Sequence, residues 1–150
     1  MKAENAFPRT ATGEGTSTPA VRRRTRHQDF ALLVTRLLVA FIFLWHGVPK
    51  ALDPPTAMEK FAGWGLPPLL GPITGWVEVA CSILIVAGLL HRWSSLVLAV
   101  IITGAIVTVQ IPAGMGADLE RDLLILVALL TLAAHGPGSF ALDMRRATGS

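Results

Sequence analysis

The chain has 150 residues, room for one domain, and 52% of them are hydrophobic against 15% charged; with a mean hydropathy of +0.56 this is the composition of a membrane protein. The net charge of +3 sits mostly in tails. Six of the thirteen Lys and Arg fall within the first 29 residues, and no basic cluster with interleaved aromatics follows them, which excludes a nucleic-acid-binding face. Cys81 is the single cysteine, so internal disulfides, Cys-x-x-Cys dithiols and multi-cysteine metal sites are excluded, and no metal centre is expected.

Residues 1–29 carry Gly, Ser, Thr, Pro and charge without periodicity, the composition of a disordered basic tail. Arg22 to Arg24 suggest an export signal, but the long apolar run that follows lacks a small-residue cleavage site and reads as an uncleaved first span. That span, residues 30–48, holds one charge, Arg36, and at a rise of about 1.5 Å per residue reaches ~28 Å, a bilayer core. Pro49, Pro54, Pro55, Pro67 and Pro68 break the next stretch. Within it Met58, Phe61 and Trp64 recur opposite Glu59 and Lys60, which fits either a short helix in the membrane interface or an ordinary loop.

Residues 69–90 form the second span, containing Glu78, and His91 with Arg92 makes a tight polar turn. Residues 93–111 form an uncharged third span. After Pro112, Gly114 and Gly116, Asp118 caps a short fourth span over 119–135, stopped by Gly136 and Pro137. The fold expected is therefore all-α: an antiparallel bundle of four transmembrane helices occupying residues 30–143, followed by a tail over 144–150. Nine Lys and Arg lie on the side of the two tails and Arg92, against three (Lys50, Lys60, Arg121) on the other, so both termini are expected in the cytoplasm. Trp45, Trp64 and Trp76 would then mark the outer interface and Trp93 the inner one.

Charges inside a span cost about 2.5–3.5 kcal/mol each on insertion scales, so each requires a partner or a wet cavity. On the first helix Arg36, Phe43, Gly47 and Lys50 share a face, with His46 beside it. The second helix carries a stripe of Gly71, Thr74, Gly75, Glu78, Cys81 and Ser82, whose Gly71–Gly75 spacing permits close backbone approach and should face the interior. The expected site is an inward polar network in which Arg36 leans across an offset of ~9 Å to Glu78, with Lys50, His46 and Glu120 above them, open to the outer face. Against this stands a plain reading in which the Arg36–Glu78 pair only fixes helix register. His91 and His135 are the histidines that could meet; no second pair exists, and a bis-histidine haem is not expected.

These residues resemble the DoxX family of small bacterial four-helix membrane proteins. The resemblance rests on an ordered set: Arg36; His46-Gly47-Val48-Pro49-Lys50; Phe61 with Gly65-Leu66-Pro67; Gly75 and Glu78; Gly88-Leu89-Leu90-His91-Arg92; Glu120; and the run from Gly136 to Asp143. Ser139 stands where the family commonly has a basic residue. The resemblance implies a bacterial cytoplasmic membrane location and association with quinone-linked oxidation, as in subunits of thiosulfate:quinone oxidoreductase and terminal quinol oxidase assemblies. It thus implies a quinone-interacting or membrane-anchoring subunit of an oxidoreductase, not catalytic alone. A quinone would be held noncovalently, and a redox partner protein or a second copy of the chain would pack alongside. A small-solute carrier and a non-catalytic scaffold are the competing expectations.

Overall fold

The computed structural model of the chain describes residues 25–135, so the expectations for the N-terminal tail up to residue 24 and for everything after His135 lie outside the described residues. Among the described residues there is no strand. Helix α1 runs Arg26–Leu52. It begins four residues before the expected start, where the Gln28 side chain accepts from the Thr25 backbone N–H at 3.2 Å. It also continues past the expected stop at Val48. Pro49 lies in its last turn, so the bond it withholds from the Trp45 carbonyl and the crowding its ring causes fall at the very end of the helix.

Asp53 caps the next helix, α2 (Pro54–Gly63), by accepting from the Thr56 N–H at 3.3 Å, and the two prolines occupy its opening turn, where they need donate nothing. The helix alternative for this stretch is therefore the one realised. Ala57 and Phe61 are its buried face. Helix α3 (Leu70–Ala87) ends at Gly88, whose φ of 69° lets the Gly88 and Leu89 N–H groups fold back to the carbonyls of Ile85 and Leu84. The turn expected at His91 and Arg92 is thus made one step earlier, by Gly88 to Leu90, and His91 opens helix α4 (His91–Ala105). His91 is buried, not interfacial.

Helix α4 does not end at Ala105. It widens into a π-helical segment, Ile106–Gln110, and closes with the turn Ile111–Ala113, giving a 23-residue helical rod over His91–Ala113. The cause is local. Pro112 cannot donate to a carbonyl one turn earlier and its ring crowds that carbonyl, and wider i→i+5 bonding, as from the Ile111 N–H to the Ile106 carbonyl, accommodates the misfit. Helix α5 spans Ala117–His135, so Asp118 lies within its first turn and does not cap it.

Among the described residues three helices, Arg26–Leu52, Leu70–Ala87 and His91–Ala113, are long and apolar enough to cross a membrane. Helix α5 falls short of that standard because Asp118, Glu120, Arg121 and Asp122 crowd its start. Consecutive long helices run antiparallel: Gly47 of α1 touches Glu78 while Arg36 reaches Ile85, and Gln110 meets Asp122. The apolar core (Val39, Phe43, Ile85, Leu98, Leu129 and Leu132 among others) fills one half of the interior. Large apolar side chains also cover the outside, with Trp45 and Trp93 about 70% exposed and Val100 73% exposed, the distribution of a protein solvated by lipid.

Candidate functional site

Above the apolar core, toward the ends of α1 and α4 and the starts of α3 and α5, lies a cavity of about 410 Å³. Its geometry begins with glycine. A Cβ on Gly47 would meet the Glu78 Cβ at 2.8 Å, one on Gly75 would meet the Ala51 N and Lys50 Cβ at 2.7 Å, and one on Gly71 would meet the Ala57 carbonyl at 2.6 Å. The small-residue stripe of α3 therefore does face inward, and its glycines bring the α1 and α2 backbones into contact with α3. This close approach sets the register in which Lys50 Nζ donates to both carboxylate oxygens of Glu78, at 2.6 and 2.9 Å.

Glu78 is nearly fully buried, whereas the Lys50 side chain retains 28% exposure and lines the cavity. An ammonium has three N–H donors, and a carboxylate on one side of it leaves at least one for another acceptor. The expected Arg36–Glu78 pair is not formed. With Gly47 level with Glu78, Arg36 lies eleven residues further along α1, about 16 Å along the axis, and not the ~9 Å offset expected. Arg36 donates Nε and Nη2 to the Ile85 carbonyl at 3.0 and 2.8 Å, and Nη2 to the Val86 carbonyl at 2.8 Å. It thus adds charged donors to the Ile85 carbonyl, which the Gly88 N–H already reaches, and to the Val86 carbonyl in the last turn of α3, inside an apolar half that offers no water.

The opposite wall corrects a second expectation. Glu120 is exposed, and the acid of α5 that turns inward is Asp122, only 3% exposed. Two residues of helix rotate by 200°, so Glu120 and Asp122 cannot share a face. Asp122 accepts from Gln110 Nε2 at 3.0 Å and from Arg121 at 3.0 Å, and Arg121 also reaches Asp118 at 2.8 Å. Asp122 was legible as the polar member of the stripe Leu119, Asp122, Ile125, Leu129, Leu132 that α5 buries. Gln110 was not, because the π segment sets its direction. His46 lies within electrostatic reach of Lys50, Arg121, Asp122 and Asp118, between the two polar walls, and Phe61, Trp64 and Thr74 complete the polar end.

Most of the cavity surface is apolar, so the arrangement offers hydrogen-bond donors from two sides to a small ring or head group otherwise wrapped in hydrocarbon. Cys81 is buried in the core and serves packing. Among the described residues no group of His, Cys, Asp and Glu could hold a metal ion.

Long apolar helices with an outward hydrocarbon surface around a buried, ion-paired cavity define a polytopic membrane protein. The sequence pattern of the DoxX family matches residues 31–111, and the chain belongs to that family. A Bacillus subtilis (strain 168) protein described as "Putative oxidoreductase CatD" is 29% identical over 115 residues, covering 77% of this chain and 86% of its own length. An uncharacterized membrane protein of Mycobacterium tuberculosis is 30% identical over 131 residues, 77% of this chain and 80% of that protein. A Haemophilus influenzae protein is 30% identical over 127 residues, 79% of this chain and 92% of its own. No solved structure matches significantly.

Proposed function

We propose that the chain is a quinone-interacting membrane subunit of an oxidoreductase system. The observation that carries this reading is the Lys50–Glu78 pair: a buried carboxylate holds an ammonium through both its oxygens at the wall of a largely apolar 410 Å³ cavity. Cavities of roughly 300–1,000 Å³ accept drug-sized ligands, so this one suits a ring system. A quinone supplies two-electron, two-proton carrier chemistry. Lys50 offers its remaining N–H to one ring oxygen, and Glu78 fixes Lys50 and is the adjacent proton acceptor. Asp122 orients Gln110 and Arg121 on the far wall, where their remaining N–H groups suit a second oxygen. The description of the Bacillus relative as an oxidoreductase is in keeping with this reading.

The same proposal includes four crossings of a bacterial cytoplasmic membrane with both tails inside. Beyond Asp122, helix α5 carries no charge as far as His135, and the nine-to-three bias of Lys and Arg supports that orientation. The electron donor would be a soluble partner protein. The test is purification in mild detergent, with extraction of bound quinone and identification of co-purifying proteins. Quinone retained by the wild type and lost by Lys50→Met is the expected result; a preparation with neither quinone nor a redox partner overturns the reading.

A further inference from the structure

The cavity has a neighbour on the side of α1 and α2. A second hollow, about 660 Å³, lies along the outside of that corner, and four side chains line both spaces: His46, Lys50, Phe61 and Trp64. Phe61 and Trp64 pack against each other with ring centroids 5.3 Å apart, so the neck between the two spaces is framed by an aromatic pair on one side and by His46 and Lys50 on the other. The outer hollow has Pro49, Leu52 and Ala57 as apolar lining and Trp45 at its edge, while Asp53, Thr56 and Lys60 mark its polar rim. Trp45 and Leu52 are about 70% exposed, and their surroundings on α1 are apolar.

Resting on the quinone reading above, we propose that the ligand is a lipid-soluble, prenylated quinone that reaches the cavity sideways from the bilayer, through the gap between α1 and α2. Its ring occupies the inner cavity and its first isoprene units occupy the outer hollow. The size of the inner cavity argues for this division. At 410 Å³ it sits near the lower end of the range for drug-sized ligands and houses a ring without a long chain as well. The outer hollow adjoins the inner one through those four shared side chains, includes the ammonium that would meet the ring oxygen, and offers an isoprenoid the apolar lining of Pro49, Leu52 and Ala57. The Phe61–Trp64 pair supplies flat apolar faces at the point where ring becomes chain.

The test uses the full chain in lipid nanodiscs and two ligand pairs: menadione with its diprenyl derivative, and dimethoxy-methyl-benzoquinone with its decyl derivative, the tailed members also carrying a photoreactive diazirine on the chain. The variant is Thr56→Trp, an exposed position on the rim of the outer hollow. Expected are tighter binding of the tailed ligand by the wild type, by about tenfold, the equivalent of burying roughly two methylenes, and loss of that advantage in Thr56→Trp while the tail-less ring binds unchanged. Diazirine labelling should fall on Trp45, Leu52 and Thr56. If rings bind but the tail adds nothing, or labels scatter over α4 and α5, the sideways route is wrong and the cavity assignment survives. If neither pair binds the wild type, both fall. Unchanged binding of the tail-less ring by Thr56→Trp also shows that the variant is folded.

Discussion

Glu78 is a carboxylate kept from water by an ammonium that itself remains partly wet. Removing one partner of such a pair leaves the other uncompensated, which costs about 3–5 kcal/mol in fully buried cases. Because Lys50 borders an open cavity, Lys50→Met should cost near the lower end, about 3 kcal/mol, read as a lowered melting temperature in detergent. Adding Glu78→Gln to Lys50→Met should restore most of that stability without restoring quinone binding. The opposite result, full recovery of both, would reduce the pair to a helix clamp. Arg36 makes a different prediction. Its fork lies across two carbonyls at the end of α3, and hydrogen bonds from charged groups contribute roughly 1.5–3 kcal/mol. Arg36→Met should therefore speed amide hydrogen exchange at Gly88 and Leu89 while sparing α2, and Arg36→Lys should recover only part, since a point charge cannot bridge two acceptors as a planar fork does.

Among the elements, the α1–α3 contact is the most demanding of sequence. An alanine at position 75 would bring its Cβ to 2.7 Å from the backbone of α1, whereas Gly63 has nothing within 4 Å. Gly75→Ala should thus destabilise by about 1–3 kcal/mol, the usual cost of overpacking, and loosen Lys50 from Glu78; Gly63→Ala should leave both unchanged in a thermal melt. At the start of α2, the hydrogen bonds from Thr56 hold the Asp53 carboxyl below the usual carboxylate range. A lowered folded-state pKa stabilises the cap above the unfolded pKa and loses that effect as pH falls through the folded value. Protection factors of the α2 amides, with the intrinsic pH dependence of exchange divided out, should fall on acidification in the wild type and much less in Asp53→Asn. Much of this was readable beforehand. Hydropathy and helical period found the long apolar helices, and the glycine spacing found their contact face. The register between α1 and α3 was not readable, because it is decided by where Gly47 and Gly75 seat and not by which charges attract, and so Arg36 was paired with the wrong group. Glu120 opens α5 but lies off its apolar stripe, and the acid on that stripe is Asp122.

For the whole molecule, the four-span orientation can be tested by labelling intact cells. In a Cys81→Ser background, Lys60→Cys should react with a membrane-impermeant maleimide from outside, and Arg92→Cys only after permeabilisation; the reverse pattern would invert the proposed topology. Apolar surface on nearly every outward face means that lipid supplies the solvent, and the packing within is left to small residues, ion pairs and carbonyl-bound arginine. A membrane protein assembled this way tolerates a polar-ended hollow because its cohesion does not depend on expelling water from the interior.

The π segment ahead of Pro112 has a consequence for the length of the chain itself. A π turn amounts to one supernumerary residue lodged in an α-helix, so Ile106–Gln110 stores a one-residue insertion without displacing either end of the rod. Deleting Val107, which is exposed, should let the rod rewind to ordinary α geometry. Gln110 would then keep its place opposite Asp122, whereas deleting exposed Val100 from the regular part of the rod would turn everything after it by the 100° or so that one residue subtends. Helical content by circular dichroism should survive both excisions, and ligand affinity only that of Val107. The segment is thus a place in the rod where chain length can change by one residue.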